Sequence, residues 1–206
     1  MQHEVEIRDL GSMAYGECWD LQRTLFDDLC HKKAEKRLTD GESRGTILIV
    51  EHPAVYTLGK SGHQENMLVT EEYLKSLGAE FFHIDRGGDI TFHGPGQLVC
   101  YPIIDLESVG LGIRSYIEAL EQSVIDLAAE YGIEAHRSEG ASGVWVTTPN
   151  KRLVKLCAIG VRASHSVTMH GLAMNVCTDL KWFELINPCG FTDRGVCSLS
   201  TLCNRE

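Results

Sequence analysis

The spacing of apolar residues along the chain changes between helical and strand-like patterns. Residues 13–35 carry apolar side chains near helical spacing, and in residues 111–131 one apolar stripe runs from Ile113 to Tyr131. Residues 70–78 open on a threonine and two glutamates and close on a glycine, which is typical of a short helix. The pattern therefore predicts three helices.

The rest of the chain shows short apolar runs that are typical of β-strands. Strands are predicted at residues 45–59 (one or two strands), 79–84, 96–106, 133–137, 143–148, 153–159 and 166–176. Because several runs follow one another directly, we expect antiparallel pairing, with a hairpin over 146–156 that turns at Pro149 and Asn150. The sequence thus predicts an α/β (α+β) fold, in which a mixed, largely antiparallel sheet packs with helices.

The length of the chain limits its domain organisation. Its 206 residues are enough for one sizeable core. We expect a single domain over residues 1–206, with a small helical C-terminal subdomain over about 178–206.

Composition and charge exclude several classes of protein. The net charge of −10 argues against non-specific binding to nucleic acid. No apolar run approaches the roughly 18 residues of a membrane span, and the N-terminus lacks the features of a signal peptide. The eight cysteines form no CxxC pair, so a zinc ribbon is not expected. We therefore expect a cytoplasmic protein that binds neither membrane nor nucleic acid and holds no metal.

The densest group of chemical side chains lies in the glycine-rich stretch RGGDITFHGPGQ, residues 86–97. Arg86, Asp89 and His93 alternate there with glycines, which let backbone N–H groups approach a ligand closely. The stretch matches neither a dinucleotide-binding fingerprint nor a P-loop. It predicts a binding loop, and the alternative is two ordinary turns around a short strand with His93 hydrogen-bonded to backbone.

A second feature is Cys189, which stands between a proline and a glycine in INPCG. That setting suits a nucleophile held on a tight turn, and the alternative is a small buried packing residue. Lys155 lies in an apolar strand, where strict alternation places it on one face with Cys157 and Ile159. A lysine lowers the pKa of a neighbouring thiol, and neutral lysine accepts a proton, so the pair suits acyl transfer from a thioester to an amine.

These stretches together resemble the lipoyl(octanoyl) transferases. The matching blocks are EHPAVYTLGKSG (51–62), RGGDITFHGPGQLVCYP (86–102), GVWV (143–146), VKLCAIGVR (154–162), TMHGLAMNV (168–176) and INPCG (186–190). They occur in the family's order between about residues 45 and 200. The sequence departs from the family at Cys157, often alanine, and at Cys197, often threonine, and we interpret both as packing residues.

The resemblance implies an activity and a fold. Members transfer an octanoyl group from octanoyl-acyl carrier protein to a lysine of lipoyl domains, such as those of 2-oxoacid dehydrogenases and the glycine cleavage H protein. The fold is that of biotin and lipoate protein ligases, and no cofactor is expected. Cys189 would carry the acyl thioester, and Lys155 would lower its pKa and transfer protons. The implied substrate-binding residues are Arg86, Gly87, Gly88, Asp89, Ile90, Thr91, Phe92, His93, Ala158, Ile159, Gly160, Gly171, Leu172 and Ala173.

Three alternatives stay open at this point. An ATP-dependent lipoate or biotin ligase would share the fold without a catalytic cysteine. An amidotransferase would move octanoyl between lipoyl-bearing proteins. A metal-binding module could use Cys189, His93 and His170, although the irregular spacing disfavours it. His170 itself is interpreted as a structural histidine or a supporting group in the site.

Overall fold

The computed structural model describes residues 4–35, 43–187 and 194–203. The helices are α1 Tyr15–Ala34, α2 Glu71–Ser76, α3 Ile113–Glu130 and α4 Leu199–Cys203, with 3₁₀ turns at Gln64–Asn66 and Leu180–Leu185. The strands are β1 Glu6–Ser12, β2 Gly45–Glu51, β3 Val55–Leu58, β4 Glu80–His83, β5 Ile90–His93, β6 Gln97–Ile104, β7 Ala135–Ser138, β8 Ala141–Thr147, β9 Leu153–Ser164, β10 Val167–Asn175 and β11 Gly195–Val196. The three predicted helices and the predicted strands are all present.

Two sheets organise these strands. The large sheet has the order β1-β2-β6-β10-β9-β8-β7, and β11 adds to it by pairing with β9. Its β1/β2 and β11/β9 pairs are parallel and the others are antiparallel. The small sheet has the order β4-β3-β5. The predicted mixed, largely antiparallel architecture is confirmed.

Helix α1 covers one face of the large sheet. Its Cys18, Phe26 and Leu29 are buried in a cluster with side chains of β2, β6 and β10. Glu17 in the first turn and the basic residues of the last turn match the helix dipole. The helix therefore forms because one apolar stripe packs on the sheet while its ends carry favourable charges.

Helix α3 covers the opposite face, but less of its apolar stripe is buried than the spacing suggests. Tyr116, Val124 and Ala128 are buried, whereas Ile113 is 43% exposed and helix-flanking Tyr131 is 49% exposed. The stripe continues past both ends of the packed region, so its terminal positions face solvent. Periodicity marks the face of a helix, but not how far the neighbouring sheet extends along it.

The C-terminal tail differs from the helical lobe expected from the sequence. It contains the 3₁₀ turn, the short strand β11 and helix α4. In β11, Gly195 and Val196 pair with Val154 and Lys155 of β9. The tail is therefore partly built into the large sheet, and a separate C-terminal subdomain stays a prediction.

None of the helices within these described ranges is long and apolar enough to cross a bilayer.

Candidate active site

A cavity of about 390 Å³ lies where the glycine-rich stretch, β9, β10 and the C-terminal segment meet. Its lining includes Arg86, Gly87, Gly88, Asp89, Ile90, Thr91, Gln97, Ile117, Gly140, Ala141, Ser142, Lys155, Ala158, Ile159, Gly160, Val161, Ala173, Asn175, Phe183 and Val196. An inner annex of about 30 Å³ shares six of these residues and continues toward helix α1. The structure therefore brings together most of the residues implied by the family resemblance.

The two parts of the cavity divide these predicted residues between them. Residues 87–90 line the main cavity only, and His93, His170, Gly171 and Leu172 line the annex only. Both parts are lined by Arg86, Thr91, Ala158, Ile159, Gly160 and Ala173. Phe92 is different, because its side chain is fully buried in a separate cluster and stacks on Trp182 at 5.3 Å. The expectation that Phe92 contacts substrate therefore has no support from its position, which is that of a core residue.

Lys155 reaches the main cavity because β9 contains a β-bulge. Trp145 of β8 pairs with Lys155 but the preceding Val144 pairs with Cys157, so Leu156 is one extra residue on β9. Leu156 and Cys157 are both fully buried. The bulge interrupts strict alternation.

Because of this bulge, the prediction that Lys155 lies on the same face of the strand as Cys157 is wrong. Lys155 lines the cavity together with Ala158 and Gly160, whereas Cys157 is buried in the core cluster beneath α3. Ile159 lines the cavity and also packs against that cluster. The sequence pattern assumed a side-chain period of two throughout the strand, and an inserted residue reverses that parity.

The ammonium group of Lys155 lies against an aromatic surface. Its Nζ is 4.5 Å from the centre of the Trp145 ring, and the Arg194 guanidinium is 5.2 Å from the same ring. Trp145 is almost fully buried, so its indole is a fixed platform. Cation–π contact of this kind restricts where the amine can lie.

Arg86 organises the glycine-rich loop from within. Its guanidinium donates to the carbonyl oxygens of Gly87 at 2.8 Å and Asp89 at 2.7 Å. Gly87 N–H donates to Val161 of β9 at 3.1 Å, which ties the loop to the sheet. A Cβ at Gly160 would lie 2.7 Å from an Arg86 nitrogen, so only glycine lets this loop come so close.

Asp89 also supports the loop. Its carboxylate accepts from the backbone N–H groups of His63 and Ile90, at 3.2 and 2.7 Å, and from the Asn66 amide at 2.5 Å. These bonds join the glycine-rich loop to the preceding 3₁₀ turn. The side chain thus lines the cavity with its oxygens already engaged.

His93 is a neutral imidazole in the wall of the annex. Burial, and then the neighbouring His52, lower the pKa of His93 to about 3. Its Nδ1 pairs with Oε1 of Gln97 at 2.8 Å, while Nε2 of Gln97 donates to two other acceptors. The Gln97 oxygen must therefore accept from His93 Nδ1–H, which leaves Nε2 of the imidazole unprotonated. The bond goes to a side chain, not to backbone as the alternative for this loop assumed.

His170 is the second imidazole of the annex. It is 1% exposed, its Nε2 donates to Asp85 at 2.9 Å, and burial lowers the pKa of His170. The hydrogen bond from His170, assisted by the positive charge of Arg162, lowers the pKa of Asp85 to about 2. His170 has a positive φ of 60°, an uncommon backbone conformation for a histidine. Its imidazole is therefore held in one orientation in the wall of the annex, and a supporting role in the site stays a prediction.

Three of the eight cysteines bear on the interpretation of the site. Cys189, with its flanking residues 188–193, lies outside the described residues. Cys157 and Cys197 are buried in the core cluster beneath α3, where burial raises the pKa of each thiol to about 12. These two thiols are placed as packing residues.

The sequence did not single out several residues of the site. Tyr15 of α1 lines the annex and stacks on His93 at 5.9 Å, although its helical spacing marked it only as core. Gln97 and Asn175 line the main cavity at paired positions of β6 and β10. Their places in the HGPGQ and GLAMNV motifs were the available clue. Glu121, a buried carboxylate on α3, accepts from Gly143 N–H and Arg137 and so supports the β7–β8 hairpin around its turn at 139–140.

Within the described residues, no group of three His, Cys, Asp or Glu side chains is arranged to hold a metal ion. The metal-module alternative also needs Cys189, which lies outside the described residues, so this alternative is not tested there.

Comparison with known proteins shows the family of this chain. The model of the lipoyl protein ligase A/B catalytic domain family matches residues 14–206. An octanoyltransferase of Bacteroides fragilis is 56% identical over 186 residues, which are 90% of this chain and 82% of that protein. An octanoyltransferase of Flavobacterium johnsoniae is 50% identical over 97% of this chain and 87% of its own length. The chain belongs to the lipoyl(octanoyl) transferase family.

The fold of this chain is similar to that of solved lipoate-protein ligase structures. Lipoate-protein ligase A bound with ATP has a TM-score of 0.66 at 16% identity, covering 100% of this chain and 79% of its own. A Plasmodium falciparum protein in complex with lipoate has a TM-score of 0.69 at 12% identity, covering 98% and 57%. The ligase-like fold expected for the lipoyl(octanoyl) transferase family is confirmed.

Proposed function

We propose that this protein transfers an octanoyl group from octanoyl-acyl carrier protein to a lysine of a lipoyl domain, through a thioester on Cys189. The observation that carries the proposal is the placement of Lys155 in the wall of a cavity that narrows into an annex. Relatives named octanoyltransferase, at 47–56% identity, support the same reaction. The acceptors would be lipoyl domains such as those of 2-oxoacid dehydrogenases and the glycine cleavage H protein.

The position of Cys189 in the reaction is inferred from the residues on either side of it. Asn187 N–H donates to the carbonyl oxygen of Asn66 at 2.7 Å, and Cys189 follows two residues later. On the other side, Val196 lines the cavity and pairs with Lys155. The described residues on either side of this segment therefore lie beside Asn66 and in the cavity wall, and this supports the proposal that Cys189 serves the cavity.

The first step forms the acyl-enzyme. The Cys189 thiolate attacks the thioester carbonyl, the bond from that carbon to the carrier sulfur breaks, and the carrier leaves as a thiol after taking up a proton. The ammonium group of Lys155 favours the thiolate and supplies that proton. In the second step the acceptor amine attacks the acyl-cysteine, Lys155 accepts its proton, and the Cys189 thiolate is released. No ATP is required, because the donor is already activated.

The octanoyl chain would enter the cavity with its tail toward the annex. Small residues, Ala158, Gly160 and Ala173, leave room between the strands there. At about 0.8 kcal/mol for each buried methylene, full burial of the tail stabilises the complex by roughly 5 kcal/mol. The cavity therefore suits an acyl chain held mainly by apolar contact.

A cytoplasmic location forms part of the proposal. The seven cysteines of the described residues are all free thiols, as expected in a reducing compartment.

Intact mass spectrometry after brief mixing with octanoyl-carrier protein tests the function. The wild-type chain should gain one octanoyl group, mapped to Cys189, and lose it when an apo lipoyl domain is added without ATP. Cys189→Ser should form no thioester, and Cys157→Ala is the matched control at a packing thiol. Octanoylation of the lipoyl domain only with free octanoate and ATP would instead identify a ligase. Transfer from an octanoylated lipoyl protein, but not from the carrier, would identify an amidotransferase.

A further inference from the structure

Two buried amide side chains, Gln97 and Asn175, have no role in the chemistry described so far. They are 2% and 4% exposed and occupy paired positions on β6 and β10. Nε2 of Gln97 donates to Oδ1 of Asn175 at 2.9 Å, and both side chains line the main cavity. Buried polar groups cost free energy unless they are fully hydrogen-bonded, so a pair of this kind has a specific structural use.

Asn175 connects this pair to the C-terminal segment. Its Nδ2 donates to the carbonyl oxygen of Cys197 at 3.1 Å. The N–H of Cys197 donates in turn to the carbonyl oxygen of Lys155 at 3.0 Å. Cys197 directly follows β11, so one residue is held by the Asn175 side chain and by the backbone of Lys155 at the same time.

Gln97 fixes the orientation of Asn175. Its amide nitrogen also donates to the carbonyl oxygen of Phe92 at 3.2 Å, and its oxygen accepts from His93. Every polar atom of the Gln97 side chain therefore has a partner, and its nitrogen must face the oxygen of Asn175. This leaves the amide nitrogen of Asn175 directed at Cys197.

Strand β11 needs such a support. It has two residues, one of them glycine, which contributes no side chain to packing. Its register is nevertheless what sets Val196 opposite Lys155. A short strand with few bonds of its own depends on side chains that hold it in place.

We propose that Asn175 is a positioning residue for acyl transfer and that Gln97 acts through it. The pair holds β11 against β9, and so fixes the chain that leads to the nucleophile relative to Lys155. This inference rests on the proposed function, since it assumes that Cys189 and Lys155 work together.

The test compares Asn175→Ala, Gln97→Ala and the double variant with wild type. Asn175→Ala should lower kcat by about tenfold to a hundredfold, as small misplacements of reacting groups do. It should also move the pH profile of Cys189 alkylation by iodoacetamide upward, toward that of Lys155→Ala. The double variant should lose little more kcat than Asn175→Ala alone, because Gln97 acts through its hydrogen bond to Asn175. If Asn175→Ala does not fold, Asn175→Asp at neutral pH keeps the size and the acceptor but loses the donor.

Thr168→Val is the matched control. Thr168 lies on the same strand β10, is fully buried, and donates to the Pro102 carbonyl oxygen at 2.9 Å. Its loss should destabilise the fold without shifting the alkylation profile. The inference is overturned if the Asn175 variants keep the wild-type kcat and profile, or if Thr168→Val changes both equally. Absence of octanoyl on Cys189 in the wild type would instead refute the proposed function itself.

Discussion

Replacing the buried His93 by glutamine should reduce the pH dependence of folding. In the unfolded chain this imidazole takes up a proton near its ordinary pKa of about 6.5. In the folded chain, burial holds the pKa of His93 at about 3. Between these values the unfolded state binds the extra proton, so stability is present above pH 6.5 and falls as the pH is lowered toward 3. The slope is about 1.4 kcal/mol per pH unit, which gives a loss of about 2 kcal/mol between pH 7 and pH 5 from this one group.

Urea denaturation at a series of pH values between 5 and 7.5 measures this effect. His93→Gln keeps a donor for the Gln97 oxygen but does not titrate. The free energy of unfolding of this variant should therefore fall less steeply than that of wild type as the pH is lowered, and the difference in slope should correspond to about one bound proton. His52 and His170, whose pKa values are also lowered by burial, keep part of the slope in the variant. His63→Gln is the same substitution at an exposed position and measures the effect of the replacement alone. Equal slopes for wild type and His93→Gln would refute the reasoning.

Three further substitutions test the groups around the main cavity. Lys155→Ala should move iodoacetamide labelling of Cys189 to higher pH, because the cation that favours the thiolate is lost. Cys157→Ala should keep most of the octanoyl-transfer activity and lower the free energy of unfolding by about 1 kcal/mol, measured by urea denaturation. Gly160→Ala should lower kcat/KM by at least about tenfold in the same transfer assay, because its Cβ would push Arg86 and the glycine-rich loop out of place.

Each of these expectations has a contradicting result. An unchanged labelling profile in Lys155→Ala would remove the lysine from its role toward the thiol. Loss of transfer in Cys157→Ala without loss of fold would give that thiol a function beyond packing. Wild-type activity in Gly160→Ala would show that the loop is not held in one position by its contact with β9. The control for Gly160→Ala is Gly16→Ala, where the added Cβ meets only an ordinary contact at 3.5 Å.

Local sequence patterns predicted the elements well because most of them follow simple rules. Helix α2 begins where Thr70 accepts a hydrogen bond from Tyr73 N–H, as its threonine and glutamates indicated. The β8–β9 hairpin turns between Thr148 and Arg152, as Pro149 and Asn150 indicated. These features depend on residues that are close in sequence.

The parts of the site that sequence did not predict depend on distant contacts. Tyr15 reaches the annex because α1 packs across the sheet, and Asn175 meets Gln97 only through the pairing of β10 with β6. Nothing near Leu156 in the sequence signals a bulge, since the extra residue is absorbed between β8 and β9. The family motifs identified which residues gather at the cavity, but not which side chains face it.

In the proposed mechanism, the bulge at Leu156 also decides which thiol Lys155 can activate. In strictly alternating geometry, Cys157 would stand beside Lys155 on one face, and this chain would offer two competing sulfur nucleophiles to an incoming acyl group. With one extra residue, the nearer cysteine lies in the apolar core, where burial raises the pKa of its thiol and keeps it protonated. In that mechanism a single inserted residue gives the enzyme chemical selectivity among its own cysteines, and no separate group has to distinguish one sulfur from another.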